Sequence, residues 1–209
     1  MTLANHGASG GSQKLGEVVE ASTVQVVAQS YELNVAPPFG SLVWLPQGPP
    51  GASGALYGVV TLIETTALDA SRRPMARGQD AESRQAVFEQ HPQLTELFRT
   101  HFPIKILGNA TDGTIRHTLP PLPPEIHQFV YTCTREQVGM FTDSPGYLPL
   151  LLATTGPAAD EAATAFLQAA AAVRSPGEEQ SFLVAAAKQL IVLLRGDATR
   201  LNTLLGRLT

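Results

Sequence analysis

The sequence predicts an α+β protein: a small closed six-stranded β-barrel with a helical insertion, followed by an α-helical C-terminal region. Short alternations of apolar and polar residues, rich in β-branched side chains, recur between Leu15 and Cys133. A charged stretch with helical spacing interrupts them at about 71–102, and the sequence after Cys133 is rich in alanine and leucine at helical spacing. The expected division is a flexible tail at 1–13, the barrel at 14–133 and the helical region at 134–209.

Composition limits the class of protein. The chain has 209 residues, 44% of them hydrophobic and 15% charged, so it can bury a core. A formal net charge of -4 disfavours sequence-independent nucleic-acid binding, which needs clustered lysine and arginine. The single Cys133 cannot form an internal disulfide, which favours a reducing compartment. The start of the chain lacks the basic-then-apolar pattern of a secretory signal and no apolar run is long enough to span a bilayer, so we expect a cytoplasmic protein.

The first three strands are predicted in Leu15–Gln29 and Ser41–Leu45. Alternating β-branched residues favour two strands in the first stretch, with a break at Ala21–Thr23. Between the two stretches, APPFG at 36–40 carries two prolines, which fix φ, and a glycine, which tolerates positive φ. This pattern predicts a corner between strands, with a ligand-gripping loop as the alternative.

The next strand and the insertion follow a turn-rich loop. Ala55–Leu68 is the strongest strand signal in the chain, and Gly58 within it predicts a bulge or a close crossing. In the insertion, Asp80 is predicted to cap a helix that runs to about Gln90. Pro92 is predicted to open a second helix, whose apolar face would carry Leu94, Leu97 and Phe98.

The remaining strands are predicted at Pro103–Gly108, Thr114–Leu119 and Ile126–Cys133, the last of which closes the barrel. Asn109–Gly113 contains an Asp-Gly pair between two of these strands, which is typical of a hairpin turn.

The C-terminal helices are predicted from caps and stripes. One helix runs from Pro157 to Val173, and a second begins with a capping box at Ser175–Glu178. Gly196 ends the second helix and Asp197 caps the last one. Each of the last two helices carries one apolar stripe: Leu183, Ala187, Leu190 and Leu194 in the first, and Leu201, Leu204, Leu205 and Leu208 in the second. A stripe on a short helix must bury itself against the barrel or against a second protein chain.

Motifs for catalysis or metal binding are weak. The five histidines have no HExxH spacing, and Ser53 in GASGA misses the G-x-S-x-G pattern. We therefore expect no catalytic residue, no metal and no cofactor, and keep an enzyme with a dispersed site as a minor alternative. The candidate partner-binding residues are Arg72, Arg73, Arg77, Leu190 and Leu194.

Several short segments, in order, carry a family resemblance: LGEVVEAST, APPFGSLV, LYGVV and IKILGNATDGTIRHTLPPLPPEIHQFVY. Together they resemble the HAS-barrel, the small N-terminal β-barrel of HerA-type hexameric DNA translocases and of the ATP synthase α and β subunits. The similarity covers about Leu15 to Cys133. It is greater to the barrels of HerA-type proteins than to those of the ATP synthase subunits, and in particular it extends to stand-alone bacterial members of cyanobacterial type that lack the ATPase domain. The resemblance implies a barrel that positions other components.

One departure from the translocases concerns nucleotide binding. The glycines at 108 and 113 have the spacing of a phosphate-binding loop, but Thr114 and Ile115 stand where lysine and serine or threonine are required. The segment also lies between two strands and opens no helix, so it lacks the helix N-terminus that holds phosphates. We expect no Walker A site and no ATP binding.

The sequence therefore predicts a non-catalytic protein–protein interaction or assembly module of HAS-barrel type. Its partner would be another protein, such as a HerA-like ATPase or a similar complex, or a second copy of the chain. The alternative is a nucleic-acid-associated accessory module that uses the barrel surface and the cluster Arg72, Arg73 and Arg77. For the leading hypothesis, nucleic-acid binding is expected to be weak or absent.

Overall fold

The computed structural model describes residues 12–48, 54–69 and 75–208, and it contains the predicted antiparallel barrel. Eight strands occur in the described residues: β1 (Lys14–Ala21), β2 (Gln25–Ser30), β3 (Leu42–Gln47), β4 (Gly54–Val60), β5 (Glu64–Ala67), β6 (Phe98–Thr111), β7 (Thr114–Arg116) and β8 (Phe129–Thr132). Six of them follow the order β2-β1-β8-β3-β4-β6, and β6 pairs with β2 to close the barrel. The predicted α+β class with a closed six-stranded barrel is confirmed, and β5 and β7 add to β6 as two extra strands.

The longest strand corrects the predicted end of the helical insertion. Two short helices, α1 (Arg84–Gln90) and α2 (Leu94–Leu97), precede β6, and Ser83, not Asp80, caps α1 by accepting a bond from the Ala86 amide. Phe98 was expected on the second helix, but it starts β6 and pairs with Ala67. Residues 98–102 are extended because β5 and β2 pair with them, a constraint that comes from distant parts of the chain.

The strand expected over Ala55–Leu68 is divided into β4 and β5. Both halves pair with β6, and the gap lies opposite Pro103. The amide of Thr61 donates to the Pro103 carbonyl at 2.9 Å, but proline has no N–H to return the bond. The ladder is therefore interrupted at this point.

The turn features of the barrel agree with the sequence. Gly58 lies at a register shift between β4 and β6, and a β-carbon there would stand 2.5 Å from Ile104 Cγ2, so both a bulge and a close crossing are present. Asp112 and Gly113 have φ of 49° and 75° and form the predicted hairpin turn between β6 and β7. Gly40 has φ of 81°, and its amide donates to the Val60 carbonyl at 2.9 Å, which confirms the corner.

The C-terminal region is helical, as predicted. Its elements are α3 (Arg135–Thr142), a 3-10 turn (Pro145–Tyr147), α4 (Leu148–Leu152), α5 (Pro157–Ala172), α6 (Glu178–Leu193) and α7 (Ala198–Leu208). Asp197 caps α7 by accepting a bond from the Arg200 amide at 3.0 Å, as expected. The predicted start of α6 differs, because Gly177, with φ of 93°, is the residue at its N-cap and Pro176 lies before the helix.

Two apolar clusters hold the fold together. The first fills the barrel and contains Val18, Val26, Ala28, Val43, Leu45, Leu56, Val60, Phe102, Ile104, Ile106 and Val130. The second lies outside the barrel wall, where Tyr57 and Val59 of β4 meet Phe141, Tyr147 and Phe166 of the helical region. The helices therefore pack on one flank of the barrel and do not form a separate core. Among the described residues, no helix has the length and apolarity required to cross a membrane.

Candidate functional site

The predicted partner-binding residues lie in different environments. Arg72 and Arg73 fall outside the described residues, as does most of the expected flexible tail, and Arg77 lies on the surface. Leu190 is fully buried and Leu194 is 9% exposed, and both belong to the cluster between the helices and the barrel. The stripe that contains these two leucines therefore packs inside this chain, because α5 and α7 lie against that side of α6.

The opposite side of α6 is the most unusual surface of the helical region. Val184, Ile191 and Val192 are 43%, 50% and 62% exposed, although a surface helix normally presents charged and polar residues to water. We define the α6 outer face as Ser181, Val184, Ala185, Lys188, Ile191, Val192 and Arg195, all of which are exposed. Arg195 lies two residues beyond the end of the helix. Exposed apolar side chains grouped in this way are typical of a protein-binding surface.

A row of aromatic rings forms a second candidate surface, on the outside of the barrel. Trp44 of β3 and Tyr131 of β8 are cross-strand partners whose rings stack with centroids 4.9 Å apart. Phe129 meets Tyr131 edge to face at 6.5 Å. The Lys14 ammonium lies 4.4 Å from the Phe129 ring and 5.1 Å from the ring of Tyr31. We call these four rings the aromatic row: Trp44 lies on β3, Phe129 and Tyr131 lie on β8, and Tyr31 directly follows β2. Lys14 lies on β1, between β8 and β2.

The charges beside the aromatic row are balanced. Glu17 accepts a hydrogen bond from the Tyr31 hydroxyl at 3.0 Å, and its carboxylate lies 2.8 Å from Nδ1 of His127. The bond with His127, and then that with Tyr31, lowers the pKa of Glu17 below its ordinary value. Burial and the bond to Glu17 raise the pKa of Tyr31 to about 12. Among the residues that the structure describes, one ammonium and one carboxylate therefore flank the rings, and their charges balance.

Three charged side chains, Arg200, Asp160 and Lys105, link the helices to one another and to the barrel. Arg200 donates from Nε to Asp160 Oδ1 at 2.8 Å, and its other nitrogens donate to the carbonyls of Leu152 at 3.1 Å and Thr154 at 2.8 Å. Both side chains of this ion pair are about nine-tenths buried. Lys105 of β6 donates to the Leu151 carbonyl at 3.0 Å, and burial lowers its pKa. These bonds join α4, α5, α7 and the barrel.

An open groove of about 650 Å³ lies between α3 and the start of α6. Its cations already have partners, since Arg135 donates to the Ala172 carbonyl at 3.2 Å and Arg174 donates to Thr142 Oγ1 at 3.0 Å. The Arg174 guanidinium also lies 3.6 Å from the ring centroid of Phe182. Arg174 also donates to the Ala170 carbonyl, so the two arginines together satisfy carbonyls in the last turn of α5 and the groove has a structural explanation.

The nucleophilic and metal-ligating residues are dispersed. Burial raises the pKa of the Cys133 thiol, which makes it a poor nucleophile. His117 lies with Nε2 2.9 Å from the Phe141 carbonyl and packs its ring against Phe141 and Tyr147. In residues 12–48, 54–69 and 75–208, no group of three or more histidine, cysteine, aspartate or glutamate side chains could hold a metal ion.

Sequence reasoning missed the aromatic row, and on α6 it named Leu190 and Leu194 as partner-binding where the structure exposes the other side of the helix. Signals for both surfaces were present. The segment SFLVAAAKQLIVLL, at 181–194, is apolar around most of the helix, so a single stripe could not account for it. Phe129 and Tyr131 are two residues apart on a strand and therefore share a face.

Comparison with known proteins adds no relative to these observations: no family model matches this chain, and no curated protein matches it.

Proposed function

We propose that this protein is a non-catalytic protein–protein interaction module of HAS-barrel type, in which the α6 outer face binds a partner. The observation that carries this proposal is the exposure of Val184, Ile191 and Val192 on a helix whose other side is already packed against α5 and α7. Full burial of an aliphatic side chain contributes about 1.5–3 kcal/mol, so covering these three half-exposed residues would contribute roughly 2–5 kcal/mol. A contribution of this size is sufficient to support a protein–protein interface of moderate affinity.

The barrel suits the role of a rigid platform. Its six strands pair around a closed ring, so most backbone groups of the sheet are engaged within the chain. The shared cluster outside the barrel wall holds the helices to that ring, so α6 is presented in one orientation. By resemblance to HAS-barrels, the partner class is a HerA-like hexameric ATPase or a similar assembly.

The test is a comparison of two double variants of α6. Ile191→Glu with Val192→Glu places two carboxylates on the α6 outer face, whereas Gln180→Glu with Gln189→Glu adds the same charge at exposed positions outside it. A protein that co-purifies with the chain is identified, purified and titrated against each variant by calorimetry. We expect the first variant to remain folded and to lose affinity at least about tenfold, a change of 1.4 kcal/mol, with the control unchanged. Equal affinity for both variants would contradict the proposed docking surface.

The aromatic row favours a second candidate function, a nucleic-acid-associated module. Half-exposed rings beside Lys14 could stack successive bases of a single strand. The chain has one tryptophan, Trp44, so quenching of its fluorescence by an oligonucleotide reports binding directly. Given the balanced local charge, we expect at most weak quenching at physiological salt.

Two further variants separate the alternatives for nucleic-acid binding. If binding is observed, Phe129→Ala should reduce the quenching through loss of stacking. Changing Arg72, Arg73 and Arg77 to alanine should flatten the salt dependence, since each phosphate contact adds about one unit to the slope. Tight binding that is unaffected by either change would contradict this second function.

A further inference from the structure

We propose that the outer edge of β5 is a second protein-binding site, which takes an extended segment of a partner protein as an added β-strand. This site is independent of the α6 outer face and goes beyond the proposed function. Three features support it: the position of β5 in the sheet, the direction of its backbone groups and the apolar side chains beside it.

The strand β5 lies at one end of the sheet. His101 of β6 has Gln29 of β2 as its partner on one side and Glu64 of β5 on the other, so β2 and β5 lie on opposite edges of β6. β4 and β5 pair with successive parts of β6 and therefore lie end to end along the same edge. The other edge of β4 is covered by β3, whereas among the described residues no strand covers the corresponding edge of β5.

The corner at 36–40 explains why this edge is open. β3 is antiparallel to β4, and the Gly40 amide donates to the Val60 carbonyl at 2.9 Å, so an extended chain before Gly40 would continue beside β5. Pro37 and Pro38 occupy that part of the sequence and have no N–H to donate to a ladder.

The chain before the corner crosses a face of the sheet and does not follow the edge of β5. The Asn34 amide donates to Thr100 Oγ1 at 2.7 Å, and Thr65 Oγ1 donates to Asn34 Oδ1 at 3.1 Å. Thr65 and Thr100 are cross-strand partners, so their side chains lie on one face of β5 and β6. These side-chain bonds therefore leave the edge of β5 uncovered by the segment that leads into β3.

The backbone groups on this edge belong to Thr65 and Ala67. The Leu68 amide donates to the Leu97 carbonyl at 2.8 Å, which marks these two residues as a hydrogen-bonded pair. Such pairs alternate with non-hydrogen-bonded ones along antiparallel strands, so Thr66 bonds to β6, whereas Thr65 and Ala67 direct their N–H and C=O groups away from it. A row of these groups is a template for pairing with another extended chain.

Apolar side chains border the open edge. Ile63 precedes β5 and Leu68 follows it, and both are exposed, as is Phe39 at the corner beside Gly40. A strand added to β5 would cover part of this apolar surface if its own side chains were apolar. Glu64 is the charged residue of β5, so a basic residue at one end of the added segment is favoured.

Amide hydrogen exchange tests the open edge without any ligand. In the free full-length protein, followed by NMR spectroscopy, the Thr65 and Ala67 amides should exchange at least about tenfold faster than the Thr66 amide after correction for intrinsic rates. Strong protection of Thr65 and Ala67 in the free protein would show that the chain itself covers the edge, and would overturn the proposal.

Selected peptides test the occupant. A phage-displayed library of random peptides of about eight residues is panned against the full-length chain, and enriched peptides are titrated by fluorescence anisotropy. Ala67→Pro removes an outward N–H and should weaken their binding at least about tenfold, whereas Ala67→Val keeps the N–H and should not. Ile191→Glu with Val192→Glu should leave it unchanged, which separates this site from the α6 outer face. A selection in which no peptide depends on Ala67 would overturn the site.

Two further measurements check the mode of binding and the partner. N-methylation of single amides in a bound peptide should abolish binding at alternate positions only, and this result requires no change in the protein. Equal tolerance at every position would contradict backbone pairing. Sedimentation velocity should give the same mass for the unaltered chain and Ala67→Pro. A concentration-dependent dimer that is lost with Ala67→Pro would assign the edge to a second copy of the chain and overturn a separate partner.

Discussion

Gly40 lies directly against Ala165, so that a β-carbon on Gly40 would stand 2.5 Å from the β-carbon of Ala165 and 2.8 Å from the amide nitrogen of Phe166. The corner between β2 and β3 is therefore also a contact between the barrel and α5. Glycine is required here twice over, once by the positive φ of 81° and once by the absence of space.

Gly40→Ala should destabilise the protein by about 2–5 kcal/mol, since a left-handed backbone costs about 1–2 kcal/mol and overpacking about 1–3 kcal/mol. Gly113→Ala is the control, because Gly113 has φ of 75° but no atom within 4 Å of the position its β-carbon would occupy. Gly113→Ala should therefore lose only the stability that the left-handed backbone costs, about 1–2 kcal/mol. Urea unfolding measures both, and equal losses would show that α5 yields to the added methyl group.

Val26→Asp should cost several kcal/mol, the scale of a buried unpaired charge after relaxation. Val26 is 1% exposed inside the barrel, whereas Val24, two residues earlier, is 52% exposed. Val24→Asp should therefore change the free energy of unfolding by about 0.5 kcal/mol or less. Thermal unfolding followed by circular dichroism compares the two, and an unchanged melting temperature for Val26→Asp would mean that its side chain does not face the core.

Asp160→Asn should cost about 3–5 kcal/mol, because it leaves the buried Arg200 guanidinium without its counter-charge. The matched control is Glu161→Gln, which removes an exposed partner of Arg207 and should cost about 0–1 kcal/mol. Since the pair of Asp160 and Arg200 is shielded from solvent, the loss of unfolding free energy caused by Asp160→Asn should be similar at low and high salt. A loss at Asp160 that disappears in high salt would contradict this account.

Leu190→Glu together with Leu194→Glu should unfold or precipitate the protein, since both side chains lie within the cluster that joins the helices to the barrel. Ile191→Glu with Val192→Glu adds the same charge to the exposed side of the same helix and should leave the far-ultraviolet circular dichroism unchanged. If the Leu190 and Leu194 variant stayed folded and soluble, the burial of this stripe would not be essential for stability.

The Glu17 carboxylate should make stability depend on pH in the acidic range. Its pKa is lowered from an ordinary value of 4.5, mainly by His127 and then by Tyr31, so its contribution is present above pH 4.5 and is lost as the pH falls through the lowered folded value. The melting temperatures of the unaltered protein and Glu17→Gln should therefore differ at pH 7 and converge in strong acid. Glu20→Gln, also on β1, controls for the loss of one negative charge. A difference that persists unchanged into strong acid would exclude Glu17 as its source.

Features that depend on a few neighbouring residues were predictable from the sequence. Alternation and β-branching identified the barrel strands, and the Asp-Gly turn, the Gly40 corner and the Asp197 cap each follow from the conformational preferences of the residues present. The limit of this reasoning is visible at Phe98, where helical spacing suggested a helix but pairing with Ala67 produces a strand. Strand pairing is non-local, so the local pattern did not reveal it.

The sequence by itself determined the barrel, its corners and a helical C-terminal region, because hydrophobic periodicity and turn chemistry act over short stretches of chain. Only the tertiary structure decided which side of α6 is buried. That helix is apolar around most of its circumference, and the side toward Leu190 is covered because α5 and α7 lie there, which leaves Val192 exposed. The aromatic row and the Asp160–Arg200 pair were likewise settled by packing, since each joins residues far apart in sequence that meet only when the barrel closes and the helices dock on it.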